Sequence, residues 1–418
     1  MAIAASKGSP KASNFRSVCT IVITSVGLGI LELPASIAKV GSVNFGILMV
    51  ITGFASWWGI QLLHNCLVLG EGAYDSYSAV GFAAYGLKGK LFVGICMHVT
   101  LTGICSCLLV LLGKTMEPLC PLPGSLAPWS RVFWVVIGTL VAQPFVWLRS
   151  MSKLGVVSAA GVVAVFILGA LIVVGSIREI TAQAEKPETP YAEFGASELG
   201  FAIVMLCFSF GSIPAIPSVF ASMEKPQDFR KVSAVAYLVI GLITGLVAYS
   251  GFFAWGRAVM NVGDILDIIV PVDKSGGSVQ SRKLDWLGYS CLVVAVIVVL
   301  THLVVLIRPV ADACEEASSA FLGTKSLRRV SRSLPSVLML VVGLTFKELG
   351  LTMLLVGSVS VMMLTLLIPA SLYYKLYKLK EIPLPNAGLF WTALVLLTLS
   401  TAFASVVGVT TAVKGLAK

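Results

Sequence analysis

Apolar runs long enough to cross a bilayer recur along almost the whole of this 418-residue chain. They fall at 15–40, 43–69, 91–113, 132–147, 156–177, 199–223, 232–255, 287–309, 334–346, 349–374 and 387–413. A hydrocarbon core about 30 Å thick takes about 20 helical residues to cross. Inside it the backbone must satisfy its own hydrogen bonds, which leaves little besides helix for runs of this length. The expectation is an all-α integral membrane protein of eleven transmembrane helices. Composition agrees: 57% of residues are hydrophobic and only 12% charged, where soluble domains carry about a quarter. So little charge excludes a soluble enzyme, a nucleic-acid binder and a disordered hub.

Residues 1–14 are Ser- and Lys-rich, and the run that follows is too long for a signal-peptide core. The expected organisation is a cytoplasmic tail at 1–14 and one transmembrane domain at 15–418. With the N-terminus cytoplasmic, eighteen of the 30 Lys and Arg fall inside, as the positive-inside bias requires. The net charge of +10 is then a matter of topology. The ninth run is the short one: 14 residues separate Arg332 from Lys347, about 21 Å of helix. The charge count is the same for ten crossings as for eleven. The segment Arg328-Arg329-Val330-Ser331-Arg332 reads as a basic membrane flank, with a kinase site at Ser331 as the other reading. Of the nine cysteines only Cys120 lies clearly in a loop, so they read as reduced space-fillers, with neither disulfide framework nor metal site expected. Nothing distinguishes a plasma membrane from a vacuolar or lysosomal one, and nothing fixes the oligomeric state.

Two runs are written to break. The first reads Thr24-Ser25-Val26-Gly27-Leu28-Gly29-Ile30-Leu31-Glu32-Leu33-Pro34, and the sixth reads Phe208-Ser209-Phe210-Gly211-Ser212-Ile213-Pro214-Ala215-Ile216-Pro217. Glycine loosens a helix; proline removes an N–H and crowds the carbonyl four residues back, here Ile30. The clusters lie five spans apart, and discontinuous helices at corresponding points of two halves point to an inverted-repeat transporter. One half-helix offers amides suited to a carboxylate, the other carbonyls suited to a cation. An amino acid carries both charges. Gly27, Leu28 and Gly29 are the expected carboxylate site. Ser25, Ser209, Ser212 and their neighbour Gly211 are expected at the ammonium, and Phe208 and Phe210 as stacking gates or packing residues.

The run Gly27-Leu28-Gly29-Ile30-Leu31-Glu32-Leu33-Pro34-Ala35, with Gly41 following, resembles the signature of the amino acid/auxin permease family, within the amino acid-polyamine-organocation superfamily. The likeness continues in a short Tyr-spaced loop at 74–86. It recurs in the Met223, Pro226, Phe229 step after the sixth span, its most specific part, and in the 357–374 stretch ending Tyr373-Tyr374-Lys375-Leu376. The resemblance implies a LeuT-like fold of five-plus-five inverted repeats with one extra helix. It also implies that the ninth span crosses.

Glu32 departs from that family's pattern, which has a small residue there. A carboxyl at this depth is a functional hypothesis by default, and three roles stay open: a proton-coupling group, an acidic floor for a cationic substrate, or a helix–helix partner, for instance of Lys39. His98 and His302 are the other titratable candidates at depth. Thr301 resembles the position where sodium-coupled relatives hold their ion. Those relatives also carry an Asn where this chain has Ile23, Thr24 and Ser25, so a coupled proton is expected before sodium. No P-loop, His-Glu-x-x-His, Gly-x-Ser-x-Gly or filter-like segment occurs. The reading is a secondary active amino acid transporter working by alternating access, proton-coupled or facilitative, with no cofactor and no catalytic residue. An amino acid sensor on the same fold and a sodium symporter are the alternatives. The expected partners are an amino acid and the bilayer, not nucleic acid.

Overall fold

The computed structural model describes residues 12–70, 76–147, 152–182, 195–261, 264–270, 285–319, 325–346 and 348–416. The tail up to Lys11, Tyr74, Lys347 and the Lys418 end lie outside them, as do the side chains of Leu28, Arg328 and Arg329. Fifteen α-helices follow in order: α1 (Asn14–Ser25), α2 (Leu33–Val40), α3 (Ser42–Leu69), α4 (Tyr77–Leu119), α5 (Ser130–Trp147), α6 (Ser152–Ala182), α7 (Ala196–Ser209), α8 (Ile216–Ser222), α9 (Phe229–Trp255), α10 (Ile265–Ile269), α11 (Trp286–Ser319), α12 (Lys325–Thr345), α13 (Leu349–Val356), α14 (Ile368–Leu379) and α15 (Ala387–Leu416).

Nine stretches among the described residues are long and apolar enough to span a membrane. The pair Asn14–Ser25 and Gly29–Val40, bent by 52°, supplies a tenth if it counts as one span. The ninth run of the sequence is the shorter apolar helix Val330–Thr345 within α12, so the expected count of eleven rests on that segment.

The prolines act differently from the sequence expectation. Pro34 stands in the first turn of α2, Pro217 in the first turn of α8 and Pro369 in the first turn of α14. At a helix start the missing N–H would have no partner anyway and φ is already set, so these residues begin helices. Gly41, at φ 83°, stops α2. The expected loop at 74–86 is corrected: from Tyr77 onward it is helix, capped by the Ser76 hydroxyl accepting from the Ala79 amide and kinked at Tyr85–Gly86. Between α13 and α14 the chain winds as two π turns, Gly357–Val361 and Met363–Leu367. The Tyr77 hydroxyl crosses to donate to the Leu364 carbonyl at 3.1 Å.

Packing sorts the helices into two groups. One joins α1, α2, α3, α7 and α9; the other joins α4, α5, α11 and α12, with α6 lying against both α11 and α9. α15 packs on α7 and α13 and leaves Leu389, Leu396, Leu399 and Val406 exposed, as a lipid-facing helix would.

Arg332 is not a membrane flank. It is 3% exposed; its Nε donates to the Val146 carbonyl at 2.9 Å, and its guanidinium meets Glu315 at 2.5 Å and Asp312 at 2.8 Å. One planar fork thus ties the ends of α5, α11 and α12 together. Arg332→Ala should lower stability by about 2–3 kcal/mol. Thiol labelling of the buried cysteines during thermal unfolding in detergent checks this, and an unchanged midpoint would count against the clamp.

Candidate functional site

α1 ends at Ser25 because Val26 and Gly27 leave helical backbone, Gly27 at φ −130°, ψ −127°. The chain resumes as a 3-10 turn, Leu28–Glu32, with no side-chain cap on its first amides. α7 ends at Ser209, and the chain resumes at Ile213–Ala215 and then α8. The two breaks touch. A Cβ on Gly29 would lie 2.3 Å from the Ser209 Oγ and 3.0 Å from its Cα. Only a residue without a side chain permits this approach.

The freed backbone groups are handled unequally. At the second break the Phe210 carbonyl accepts from the Tyr237 hydroxyl at 2.8 Å and from the Ser212 amide at 3.1 Å. The Ser212 and Tyr237 oxygens are 3.1 Å apart; with the Tyr237 proton on Phe210, Ser212 is the donor. The Ser209 hydroxyl donates to the Met205 carbonyl at 3.0 Å. The second break is therefore largely saturated. At the first break Ser25 is 5% exposed, and its Oγ has no hydrogen-bond partner among the described residues. A buried hydroxyl left this way costs about 1–3 kcal/mol, which a bound polar group would relieve.

The aromatic candidates face neighbouring helices. Phe210 stacks on Tyr237 at 6.1 Å between centroids and lies against Gly53 of α3. Phe208 lies against Gly357. Gly211 is less confined than Gly29: an added Cβ would meet the Cys207 carbonyl at 3.2 Å and Val361 at 3.3 Å, close contacts that ask for a small shift.

Glu32 ends the 3-10 turn and is 2% exposed. Its carboxyl lies against Gly350 of α13, 3.1 Å from where a Cβ would stand. Its Oε1 has no hydrogen-bond partner among the described residues. Lys39 is not its ion pair; the ammonium sits 3.4 Å over the Phe201 ring. The charges acting on Glu32 are Asp264, Lys114, Lys39 and Asp267. Lys114 bridges Asp264 at 2.5 Å and Asp267 at 2.7 Å, joining α4 to the segment before α11. Glu32 thus belongs to a charged end cluster, one turn beyond the junction of the breaks.

His302 lies at the junction from the other side. Its Cδ2 is 3.9 Å from where a Gly27 Cβ would stand; Nδ1 is 2.8 Å from the Val298 carbonyl and Nε2 3.3 Å from the Ile23 carbonyl. The neighbouring Thr301 hydroxyl donates to the Ile297 and Val298 carbonyls of its own helix and touches Gly161 of α6. His98 is half-buried on α4, its Nδ1 buried and without a partner among the described residues. The junction therefore gathers Ser25, Gly27, Gly29, Ser209 and His302. Tyr237 is the functional neighbour that sequence reasoning missed, since one Tyr in an apolar run carries no signal of what it caps.

Residues 10–413 match the family described as transmembrane amino acid transporter protein. Among curated proteins the chain is similar to the Arabidopsis thaliana amino acid transporter AVT1C, at 26% identity over 363 residues, covering 85% of this chain and 62% of that protein. It is 25% identical over 376 residues to amino acid transporter AVT1E of the same plant, covering 87% and 66%. The chain thus spans just under two thirds of the length of these relatives. Among solved structures it is similar to a crystal structure of MhsT in complex with L-phenylalanine: TM-score 0.58, 14% sequence identity, 96% of this chain and 100% of that one. That likeness shows the fold, which is LeuT-like.

The Gly29–Ser209 approach can be tested by adding and then removing atoms. As a test tied to the proposed transport, Gly29→Ala should abolish amino acid exchange in proteoliposomes, and Gly29→Ala with Ser209→Gly should recover part of it. Gly211→Ala should cost less than Gly29→Ala. Wild-type exchange by Gly29→Ala would remove the contact from the site.

Proposed function

Because the chain belongs to the transmembrane amino acid transporter protein family, we propose that it is a secondary active transporter of amino acids, working by alternating access, proton-coupled or facilitative. The observation that carries this is the contact of two helix breaks, the first of which buries a hydroxyl with no partner among the described residues. In this reading the substrate carboxylate takes the uncapped amides at the start of Leu28–Glu32. The substrate ammonium takes the Ser25 hydroxyl and the carbonyls that α1 loses at its end. The group of α1, α2, α3, α7 and α9 rocks against the group of α4, α5, α11 and α12 around that site. The N-terminus is cytoplasmic and α12 crosses, giving eleven spans.

One observation speaks for a proton before sodium: a histidine, not a set of oxygens, faces the freed Ile23 carbonyl. Glu32 in this reading is a buried carboxyl beside the site and the charged end cluster. A sensor on the same fold remains the second reading, because a saturated second break would also suit binding without turnover.

The test is counterflow of the twenty radiolabelled amino acids in proteoliposomes, beside thermal stabilisation by each. Exchange of at least one is expected. Stabilisation without exchange would favour the sensor, and neither would sink the reading. For an exchanged amino acid, Ser25→Ala should raise KM roughly ten-fold, the worth of one hydrogen bond to a charged group. An unchanged KM would remove Ser25 from the site.

A further inference from the structure

The ring of His302 is placed between two oxygens that can only accept. Nδ1 is 2.8 Å from the Val298 carbonyl, one turn back on α11; Nε2 is 3.3 Å from the Ile23 carbonyl, in the last turn of α1. A neutral imidazole has one N–H and one bare nitrogen; both nitrogens donate only in the imidazolium. With one proton the ring serves one carbonyl and turns a lone pair toward the other. With two it serves both.

The Ile23 carbonyl is also unusual. In a continuous helix it would take the Gly27 amide, but α1 ends at Ser25 and Gly27 is out of helical conformation. The break therefore leaves this carbonyl to the ring, at the negative end of a helix, where a cation is favoured. Among the described residues no charged side chain from α1, α6 or α11, the elements meeting here, acts on the ring; burial and the two carbonyls do. The polar neighbours are Thr24, whose hydroxyl donates within α1, and Thr301, whose hydroxyl donates within α11.

We propose that His302 is the proton-binding group of this protein: its imidazolium donates through Nδ1 to the Val298 carbonyl of its own helix and through Nε2 to the Ile23 carbonyl, the Nε2–H bond clamps α11 to the broken end of α1, and loss of the Nε2 proton opens the clamp. The step forms one N–H bond at the bare ring nitrogen with a proton from water on one face of the membrane. It breaks that bond by giving the proton to water on the other face, with no oxidation or reduction. α1 and α11 belong to the two groups of helices that α6 bridges, so one proton between them biases their relative position. Glu32, on the far side of the break and facing α13, is then not the carrier. The inference deepens the transporter reading and rests on it for its use, yet the two can fail separately.

The chain has three histidines, so the 15N signals of a histidine-labelled, reconstituted full-length protein can be assigned by loss in His64→Asn, His98→Asn and His302→Gln. The expected result is that His302 gains a second N–H between about pH 8 and pH 5, with a midpoint that moves when a mixture of the twenty amino acids is added. A ring that stays one neutral tautomer throughout, with and without the mixture, overturns the proposal even where His302→Gln fails to fold. In parallel, proton entry with the mixture is read by a pH dye inside proteoliposomes. His302→Gln should cut it at least ten-fold relative to the amino acid flux, and Glu32→Gln should cut it less. The reverse order, or proton entry in His302→Gln with the wild-type pH profile, also overturns it. Absence of amino acid exchange in the wild type would instead sink the transporter reading, while the nitrogen spectrum still decides the protonation of His302.

Discussion

In hydrocarbon a backbone amide or carbonyl without a partner costs several kcal/mol, because lipid offers none. A continuous helix removes the problem, and this chain creates it twice, at residues on either side of Gly27 and Gly211. Much of what is unusual about the fold follows from where those freed groups find partners. The second break is closed by a side chain from α9, with Tyr237 and Ser212 completing the Phe210 carbonyl. A third irregular stretch, the π turns after α13, is closed in the same way by Tyr77. The first break borrows one imidazole nitrogen and leaves the Ser25 hydroxyl without a partner among the described residues. Irregular backbone at membrane depth is tolerated where it is buried in protein, and here each irregularity is matched to a polar side chain from another helix.

Buried charge obeys the same rule. Arg332 meets one carbonyl and two carboxylates, while Lys114 sits between Asp264 and Asp267. Asp264 also accepts from the Leu266 amide at 2.9 Å, so it caps the short α10 as well as pairing. At the outer edge the Asp285 carboxyl is held below its usual range, first by the Gly288 amide and then by Arg178. That contribution is present above the ordinary carboxylate range and is lost as pH falls from there through the lowered folded-state value. Exposed as this pair is, it adds little. The buried forks position helices that the apolar surface alone would let slide, because lipid-facing and helix-facing residues are equally apolar.

The spans, the two breaks and the family likeness could be read from the sequence because each is written in consecutive residues. A run of apolar residues, a Gly-x-Gly or a Pro-x-x-Pro needs no knowledge of what lies across from it. The exception is proline: Pro34 and Pro217 looked like interruptions and are helix starts, since the position of a proline relative to the break decides which it is. The partners were not legible. Tyr237 caps a carbonyl 27 residues away, Tyr77 one 287 residues away, and His302 one 279 residues away. Nothing in an apolar helix marks which of its few polar residues will face such a carbonyl. The same holds for Arg332, whose basic neighbours suggest a flank until its carboxylate partners from α11 are seen.

The inequality of the two breaks is itself a constraint on how such a site could work. Were both saturated by protein side chains, a bound zwitterion would have to displace hydrogen bonds of equal worth and would gain little. Were both open, the unliganded state would bury several unpaired groups and lose stability it needs. One saturated break gives the site a fixed wall, the Phe210–Tyr237–Ser212 chain, against which Gly29 closes to contact with Ser209. One unsaturated break gives it groups whose cost a ligand can remove. Since α1 carries the unpaired hydroxyl and the His302 ring of α11 meets the Ile23 carbonyl beside it, a ligand or a proton bound at this point would act on both groups of helices at once. That is the condition for coupling binding to motion: the favoured arrangement must differ in its contacts with the ligand, and the difference must fall where two bodies meet.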